Sequence, residues 1–125
     1  MNELFDITII GGGPAGLYSA FYSGLREMKT KIIESQESLG GKVRIYPEKR
    51  IWDVGGLQPI LAQEFCENLI EQGLTFNPTV CLNQKVETIE KDGDLFRIKA
   101  GNGACHYSKA VILANGGGII SPQKL

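Results

Sequence analysis

The sequence predicts an α/β fold in which a parallel sheet with helices carries an inserted antiparallel β-meander. Residues 4–10 are apolar with little alternation, which is typical of a buried parallel strand, and a glycine-rich turn leads from them to Pro14. Residues 30–34 form the next strand and complete a strand–helix–strand unit. Residues 79–107 then alternate around an Asp92-Gly93 hairpin turn, which predicts the meander.

Two helices are predicted between these strands. The first runs from Pro14 to about Met28, and proline suits its first turn because the missing N–H has no helical partner there. The second opens at Pro59 and runs to about Gln72, with Gly73 as its cap. The apolar residues of this second helix recur on one face, so that face should pack on the sheet.

Two further segments complete the organisation of the chain. Residues 110–114 are a continuous apolar run, which predicts a second buried strand. Residues 35–58 show little periodicity, and a segment of that length without regular structure is usually functional or disordered. Its aromatic and apolar residues argue against disorder, so a functional role is favoured.

The turn after the first strand carries the glycine pattern of a Rossmann-like dinucleotide site. It reads Gly11-Gly12-Gly13-Pro14-Ala15-Gly16. In this pattern Gly11 allows a sharp turn off the strand, Gly13 allows the backbone to approach a pyrophosphate, and Gly16 allows the helix to pack closely on the sheet. The helix then directs free N–H groups and the positive end of its dipole at the phosphates.

A carboxylate follows the second strand at the place where such folds bind a ribose. Glu34 lies 23 positions after Gly11, at the end of Lys31-Ile32-Ile33. There it can accept hydrogen bonds from the adenosine ribose hydroxyls, and it would repel a 2′-phosphate, so this site should not hold NADP. A plain glycine-rich loop is the alternative. The preceding strand, the following helix and the spaced acid together argue against it.

Composition limits the classes of protein and partner. The 125 residues are 42% hydrophobic and 22% charged, as expected of one globular domain. The formal net charge of −1 provides no basic footprint for nucleic acid, and no apolar run is long enough to cross a membrane. We therefore expect a cytoplasmic protein with neither nucleic-acid nor membrane partners.

The cysteines and the histidine give no sign of a catalytic or metal site. Cys66, Cys81 and Cys105 are scattered and form no Cys-x-x-Cys pair, so we expect buried thiols in a reducing compartment. His106 is the only histidine, and it falls in an alternating strand pattern that predicts a surface position. No side chain is predicted to be catalytic, and no metal site is predicted.

The glycine pattern alone does not distinguish FAD from NAD, because both carry an ADP half. The meander, and Gly40-Gly41 six residues beyond Glu34, are features of flavin-type reductases that bind two dinucleotides. Over essentially its whole length, the sequence resembles the N-terminal FAD-binding segment of the thioredoxin-reductase-like (type 2) ferredoxin–NADP(+) reductases of bacteria. The matching blocks are Asp6–Pro14, Lys31–Ser35, Leu39–Gly41, Tyr46–Lys49 with Ile51–Val54, and His106–Lys109.

The resemblance implies FAD as the cofactor and assigns roles to individual residues. Glu34 holds the FAD ribose, Lys42 and Tyr46 lie beside the flavin or its ribityl chain, Val86 meets the adenine end through the meander, and Ile120 lies next to the flavin. Lys42 stands where the family often has glutamine, and Ile120 where it often has an aromatic residue. The full set of cofactor-binding residues implied is Gly11, Gly13, Pro14, Ala15, Gly16, Glu34, Ser35, Gly41, Lys42, Tyr46, Asp53, Val86 and Ile120.

The activity implied by the resemblance is electron transfer between NADPH and ferredoxin, or a similar acceptor, through FAD. Residues 1–125 would be the N-terminal segment of the FAD-binding domain, and the NADPH domain and the segment that closes the FAD site would be absent. We therefore expect this chain alone to be inactive as a reductase. The family also forms dimers, which makes a homodimer an option here.

Two other functions stay open at this point. A thioredoxin reductase of the pyridine nucleotide-disulfide oxidoreductase type needs a Cys-x-x-Cys pair, but in that family the pair lies beyond the length covered here. The block Tyr46–Lys49 favours the ferredoxin reductases instead. A non-catalytic dinucleotide sensor is the second alternative, and such domains alternate strands and helices throughout. The meander at 79–107 and the long segment at 35–58 fit a sensor poorly.

Overall fold

A computed structural model of the chain describes residues 3–41 and 48–115. Within these residues the chain forms two helices and eight strands. Their bounds, in chain order, are β1 (Leu4–Ile10), α1 (Pro14–Leu25), β2 (Thr30–Ile33), β3 (Arg50–Ile51), β4 (Ile60–Leu61), α2 (Ala62–Gly73), β5 (Thr79–Cys81), β6 (Val86–Asp92), β7 (Leu95–Ala100) and β8 (Cys105–Leu113).

Six of these strands form one mixed sheet, in the order β5-β2-β1-β8-β7-β6. The neighbours β5, β2, β1 and β8 run parallel, whereas β7 and β6 continue the sheet antiparallel. The strand that follows β1 in the chain pairs on one side of it, and β8 pairs on the other, so the strand order reverses at β1. In sheets of this kind, ligands bind outside the carboxyl ends of the strands at such a reversal. The predicted α/β class is confirmed.

The meander merges with the last parallel strand, which the sequence analysis treated as separate. β8 is one strand of nine residues that begins antiparallel to β7 and continues parallel to β1 as far as Leu113. Pairing with β7 ends at Ser108, and no described strand covers that edge of β8 beyond it. Leu113 is 63% exposed and Ala110 is exposed as well, so the expectation that residues 110–114 form a buried strand is wrong.

Three other boundaries differ from the sequence-based expectations. The segment Thr79–Cys81 belongs to the parallel sheet as its edge strand rather than to the meander. The first helix ends at Leu25, because the chain turns at Glu27, where φ is +63°. The second helix begins at Ala62 rather than at Pro59, because residues 60–61 extend to pair with β3.

The predicted turn at Asp92-Gly93 is confirmed, since Asp92 faces Leu95 across the hairpin.

Apolar residues on both faces of the sheet build two cores. Alternate residues of a strand point to opposite faces, so consecutive isoleucines in β1 and β2 supply one residue to each side. The core that includes α1 contains Ile9, Leu17, Ala20, Ile32 and Leu39. The core that includes the meander contains Ile10, Ile33, Val86 and Ile98. This two-sided burial is why both strands read as unbroken apolar runs.

The histidine and the cysteines are placed as follows. His106 in β8 is buried, so the prediction of a surface position is wrong, and it lies opposite Ile98 of β7. Cys66 is buried, as expected, whereas Cys81 and Cys105 are half-buried; all three are free thiols. Neither α1 nor α2 has the length and hydropathy that a membrane-spanning helix requires, and the described part of the chain contains no other helix.

Candidate functional site

The glycine turn lies at the carboxyl edge of the parallel strands. Gly11 has φ +113°, a value that few side chains tolerate, and a Cβ atom there would lie 2.3 Å from the carbonyl oxygen of Ala114. The amide of Gly11 donates to Ile33 O at 2.9 Å, and the amide of Ala114 donates to Ile10 O at 2.8 Å. The turn is therefore fixed between the ends of β2 and β8, at the point of strand reversal.

The helix α1 starts directly on this turn. A Cβ atom on Gly16 would lie 1.8 Å from the carbonyl oxygen of Gly11, so only glycine allows this approach. Gly13 is the N-cap residue, and no side chain caps the helix, whose first turn contains Pro14 but no acidic residue. The N-terminal N–H groups that an α-helix leaves without helical partners are thus not taken up by a capping side chain. Such an end suits an anion such as a pyrophosphate.

Glu34 is buried and directed at the glycine turn. Its Oε1 accepts a hydrogen bond from the amide of Gly12 at 2.8 Å, and its Oε2 accepts from the amide of Gln36 at 2.8 Å and from Ser35 Oγ at 3.2 Å. The residue is 8% exposed. A carboxylate can accept about four hydrogen bonds. The three present therefore leave room for at least one donor such as a ribose hydroxyl.

The segment after Glu34 folds back over the glycine turn. The amide of Gly40 donates to Gly12 O at 2.8 Å, and Leu39 is buried in the core beside α1. Gly41 follows with its backbone against that of Gly13, because a Cβ atom on Gly41 would lie 3.0 Å from Gly13 Cα. The structure thus brings together the predicted residues Glu34, Gly13 and Gly41.

Five other predicted site residues lie on other elements or outside the described part. Asp53 is exposed on the connection between β3 and β4. Val86 is the first residue of β6, where it is 3% exposed and packs in the core beside the meander. Lys42, Tyr46 and Ile120 lie outside the described residues.

Two donors to the acid were missed by the sequence analysis. The amides of Gly12 and Gln36 orient the Glu34 carboxylate, yet neither was named as a site residue. Their contribution comes from the backbone, so residue type carries no direct signal for it.

A cavity of about 300 Å³ lies elsewhere, at the opposite edge of the sheet. It is lined by Phe5 at the start of β1, Thr30 at the start of β2, and Phe76 after α2. Ligands of doubly wound sheets bind at the carboxyl ends of the strands, so this cavity is not the dinucleotide site. Within residues 3–41 and 48–115 there is also no group of three or more acidic, cysteine or histidine side chains that could bind a metal ion.

The glycine turn, the uncapped helix and the buried acid together define the class of dinucleotide-binding α/β domains. Comparison with protein families agrees with this class. The family described as pyridine nucleotide-disulphide oxidoreductase matches residues 5–125. The chain belongs to this family.

Two relatives of high identity are both described as ferredoxin–NADP reductases. Ferredoxin–NADP reductase 1 of Bacillus mycoides is 62% identical over 125 residues, which cover 99% of this chain and 36% of that protein. Ferredoxin–NADP reductase 2 of Exiguobacterium sibiricum is 65% identical over 126 residues, with coverage of 99% and 36%. The chain therefore spans 36% of the length of these relatives.

Solved structures of similar fold include two thioredoxin reductases. The enzyme from Streptococcus pyogenes superimposes with a TM-score of 0.80 at 30% identity, over 92% of this chain and 36% of that chain. The enzyme from Lactococcus lactis gives a TM-score of 0.78 at 28% identity, over 89% of this chain and 35% of that chain. The resemblance to thioredoxin-reductase-like proteins is confirmed.

Proposed function

We propose that this chain is the FAD-binding segment of a flavoprotein reductase that transfers electrons between NADPH and ferredoxin. Support comes from relatives such as the Bacillus mycoides protein, which is described as a ferredoxin–NADP reductase and is 62% identical. The chain spans 36% of that protein. In this proposal the NADPH domain and the segment that closes the FAD site lie outside these 125 residues.

The single observation that carries the cofactor proposal is the geometry of Glu34. Its carboxylate is buried beside the uncapped start of α1 and is held by the amide of Gly12 at 2.8 Å. A fixed acid with a free lone pair suits a ribose with two hydroxyls, and it disfavours a 2′-phosphate. FAD and NAD satisfy this requirement and NADP does not, so the NADPH of the reaction must bind elsewhere.

The described residues fit the ADP half of FAD. The N–H groups at the start of α1 would bind the pyrophosphate, the close approach of Gly13 and Gly41 would seat it, and Glu34 would orient the ribose. When bound, FAD would supply the redox chemistry, which no side chain of the described residues provides. Lys42, Tyr46, Asp53, Val86 and Ile120 complete the proposed contacts by resemblance.

Titration with FAD, NAD and NADP tests the dinucleotide site. We expect the chain to bind FAD more tightly than NADP, as measured by quenching of flavin fluorescence with NADP as competitor. Glu34→Ala should weaken FAD binding about 10- to 100-fold, because charge-assisted hydrogen bonds to the ribose are lost. Glu37→Ala, which removes an exposed carboxylate on the same segment, should bind as the unmodified chain does. Equal binding by both variants would refute the assignment of Glu34.

Thioredoxin reductase is the second candidate, because similar solved structures carry that description. These structures are 28–30% identical, whereas the relatives described as ferredoxin–NADP reductases are 62–65% identical. Reduction of ferredoxin against reduction of thioredoxin by the full-length protein distinguishes the two. Turnover of thioredoxin but not ferredoxin would replace the first proposal with the second.

The assembly and the compartment are further parts of the proposal. A homodimer is supported by the outer face of α1, where Tyr18, Tyr22 and Leu25 are exposed and no charged residue lies between Pro14 and Leu25. Sedimentation of the full-length protein should then give twice the monomer mass. A cytoplasmic location is supported by the three free thiols, which a reducing compartment maintains.

A further inference from the structure

A buried chain of polar side chains connects β2, β8 and the turn before β6. Lys31 Nζ lies 2.9 Å from His106 Nδ1, and His106 Nε2 lies 2.8 Å from Gln84 Oε1. Lys31 and His106 are 7% and 6% exposed. The proposed electron transfer does not use these groups, yet buried polar groups of this kind are retained only when they are hydrogen-bonded.

The donors and acceptors fix the protonation state of His106. When Lys31 carries its charge, its ammonium can only donate, so Nδ1 accepts and Nε2 carries the proton that it donates to Gln84 Oε1. Protonated His106 would turn an N–H toward the Lys31 ammonium. Burial first, and the charge of Lys31 second, hold the pKa of His106 below its ordinary value.

The surroundings of the pair contain few other charges. Burial lowers the pKa of Lys31, the nearby Cys81 and Glu3 act to raise it, and Lys29 lowers it further. The aromatic ring of Phe5 lies 4.2 Å from Lys31 Nζ and favours the charged form. The facing strand β7 contributes the uncharged Ile98 opposite His106. Lys31 is therefore the charged group that His106 meets.

Gln84 joins this polar chain to the backbone of the dinucleotide site. Its amide donates to Glu34 O at 3.0 Å, while the amide of Glu34 donates to Cys81 O at 2.8 Å. A third bond, from the amide of Asn83 to Gln36 O at 2.9 Å, completes a clamp of residues 81–84 on residues 34–36. Asn83 has φ +57°, an uncommon value outside glycine, so the turn depends on contacts such as these to hold its shape.

We propose that His106 and Gln84 are positioning residues for Glu34: they fix the clamp that orients this carboxylate, and so set how tightly the site binds the ribose of a dinucleotide. The inference rests on the proposed dinucleotide function. Protonation of His106 removes the acceptor for Lys31, pushes the two cations apart and loosens the clamp through Gln84. Ribose binding should therefore weaken as the pH falls through the titration of His106.

Nuclear magnetic resonance of the ¹⁵N-labelled chain tests this without any ligand. The amides of Gly12 and Gln36 both donate to the Glu34 carboxylate, so their chemical shifts report its position. As the pH falls below about 6.5, the ordinary pKa of histidine, we expect both shifts to move with the midpoint of the His106 ring signals. If the amide shifts of Gly12 and Gln36 do not change at the pH where the His106 ring titrates, the proposal is wrong.

Variants of Gln84 supply the second measurement. Gln84→Leu should abolish the shared midpoint and raise the Kd for FAD about fivefold, the effect of losing one hydrogen bond. Gln84→Glu keeps an acceptor for His106 Nε2, so a shared midpoint should return, moved to higher pH because a carboxylate favours protonated His106. At about pH 8 its Kd for FAD should be close to that of the unmodified chain. Gln72→Leu removes an exposed glutamine of α2 and serves as the control. If Gln84→Leu behaves like Gln72→Leu, the proposal fails.

The two proposals fail in different ways. If the unmodified chain binds no FAD and no NAD at any pH, the proposed function is wrong, and the amide shifts of Gly12 and Gln36 alone then decide whether His106 positions Glu34. If the unmodified chain binds FAD and the Gln84→Leu variant binds it equally well, the dinucleotide site stands and the positioning role is wrong.

Discussion

Gly16 is the residue at which one added methyl group has the clearest predicted effect. A Cβ atom there would lie 1.8 Å from Gly11 O and 3.3 Å from Ile9 Cγ2, so backbone atoms must move to admit it. Gly16→Ala should lower the free energy of unfolding by about 1–3 kcal/mol, as overpacking of a core does. Urea denaturation measures this difference.

The matched control is Gly55→Ala. Apart from Gly55 itself and its two neighbours in the chain, no heavy atom of the described residues lies within 4 Å of a Cβ atom at Gly55, and its φ is not positive. This change should therefore leave the free energy of unfolding nearly unaltered. Equal destabilisation by the two variants would contradict the close approach of α1 to the glycine turn.

The second prediction concerns how the free energy of unfolding depends on pH through His106. Because the pKa of His106 is lowered in the folded chain, the unfolded chain binds a proton that the folded chain does not bind. The contribution of His106 to the free energy of unfolding is therefore complete above about pH 6.5, the ordinary pKa of histidine. The free energy of unfolding decreases as the pH falls below that value. Urea denaturation between about pH 5 and 8 should show this slope, and His106→Asn should remove it. An unchanged slope in the variant would contradict the prediction.

The sequence predicted Glu34 but misplaced His106, and the reason is physical. Glu34 follows a strand and a glycine turn, so its position depends on residues close to it in the chain. His106 depends on Lys31, which lies 75 positions away in sequence, and on Gln84. Alternation within one strand shows which face a residue occupies, but it does not show whether another layer covers that face. The alternation of polar and apolar residues could therefore not predict that His106 is buried.

At the scale of elements, β7 joins the meander to the parallel sheet. Ile98 of β7 is fully buried and packs with Ile10, Ile33 and Val86. Ile98→Ala should lower the free energy of unfolding by about 2–5 kcal/mol, because a large buried side chain is lost and a cavity remains. Ile89→Ala changes a half-buried residue of β6 and should have a smaller effect. Denaturation curves that show the reverse order would contradict this view of the core.

Element types were predicted better than element limits. β1 was predicted with the bounds that the structure has, because its apolar run ends at the glycine turn. The end of α1 was predicted three residues late, since Arg26 to Met28 are compatible with a helix and only the backbone of Glu27 leaves it. β5 was assigned to the meander because three residues carry too little pattern to show which strand they pair with. Pairing partners are a property of the whole sheet.

For the whole molecule, we expect no reductase activity from the 125-residue chain. The described residues contain the proposed site for an ADP half, whereas hydride transfer from NADPH needs the bound flavin and a nicotinamide site beside it. NADPH with a dye acceptor and added FAD should therefore give no turnover above the rate without protein. The full-length protein should give turnover in the same assay. Turnover by the short chain at the rate of the full-length protein would contradict this prediction.

The one-sided pairing of β8 has a consequence for handling the protein. Beyond Ser108, no described strand pairs with the outer edge of β8, and the side chain of Leu113 in that part of the strand is exposed. Unpaired backbone amides and carbonyls beside apolar side chains form a template on which further chains can add. At high concentration, the chain should accordingly self-associate strand by strand and scatter light. Arginine in the buffer, or the substitution Leu113→Lys, should reduce this self-association and the light scattering.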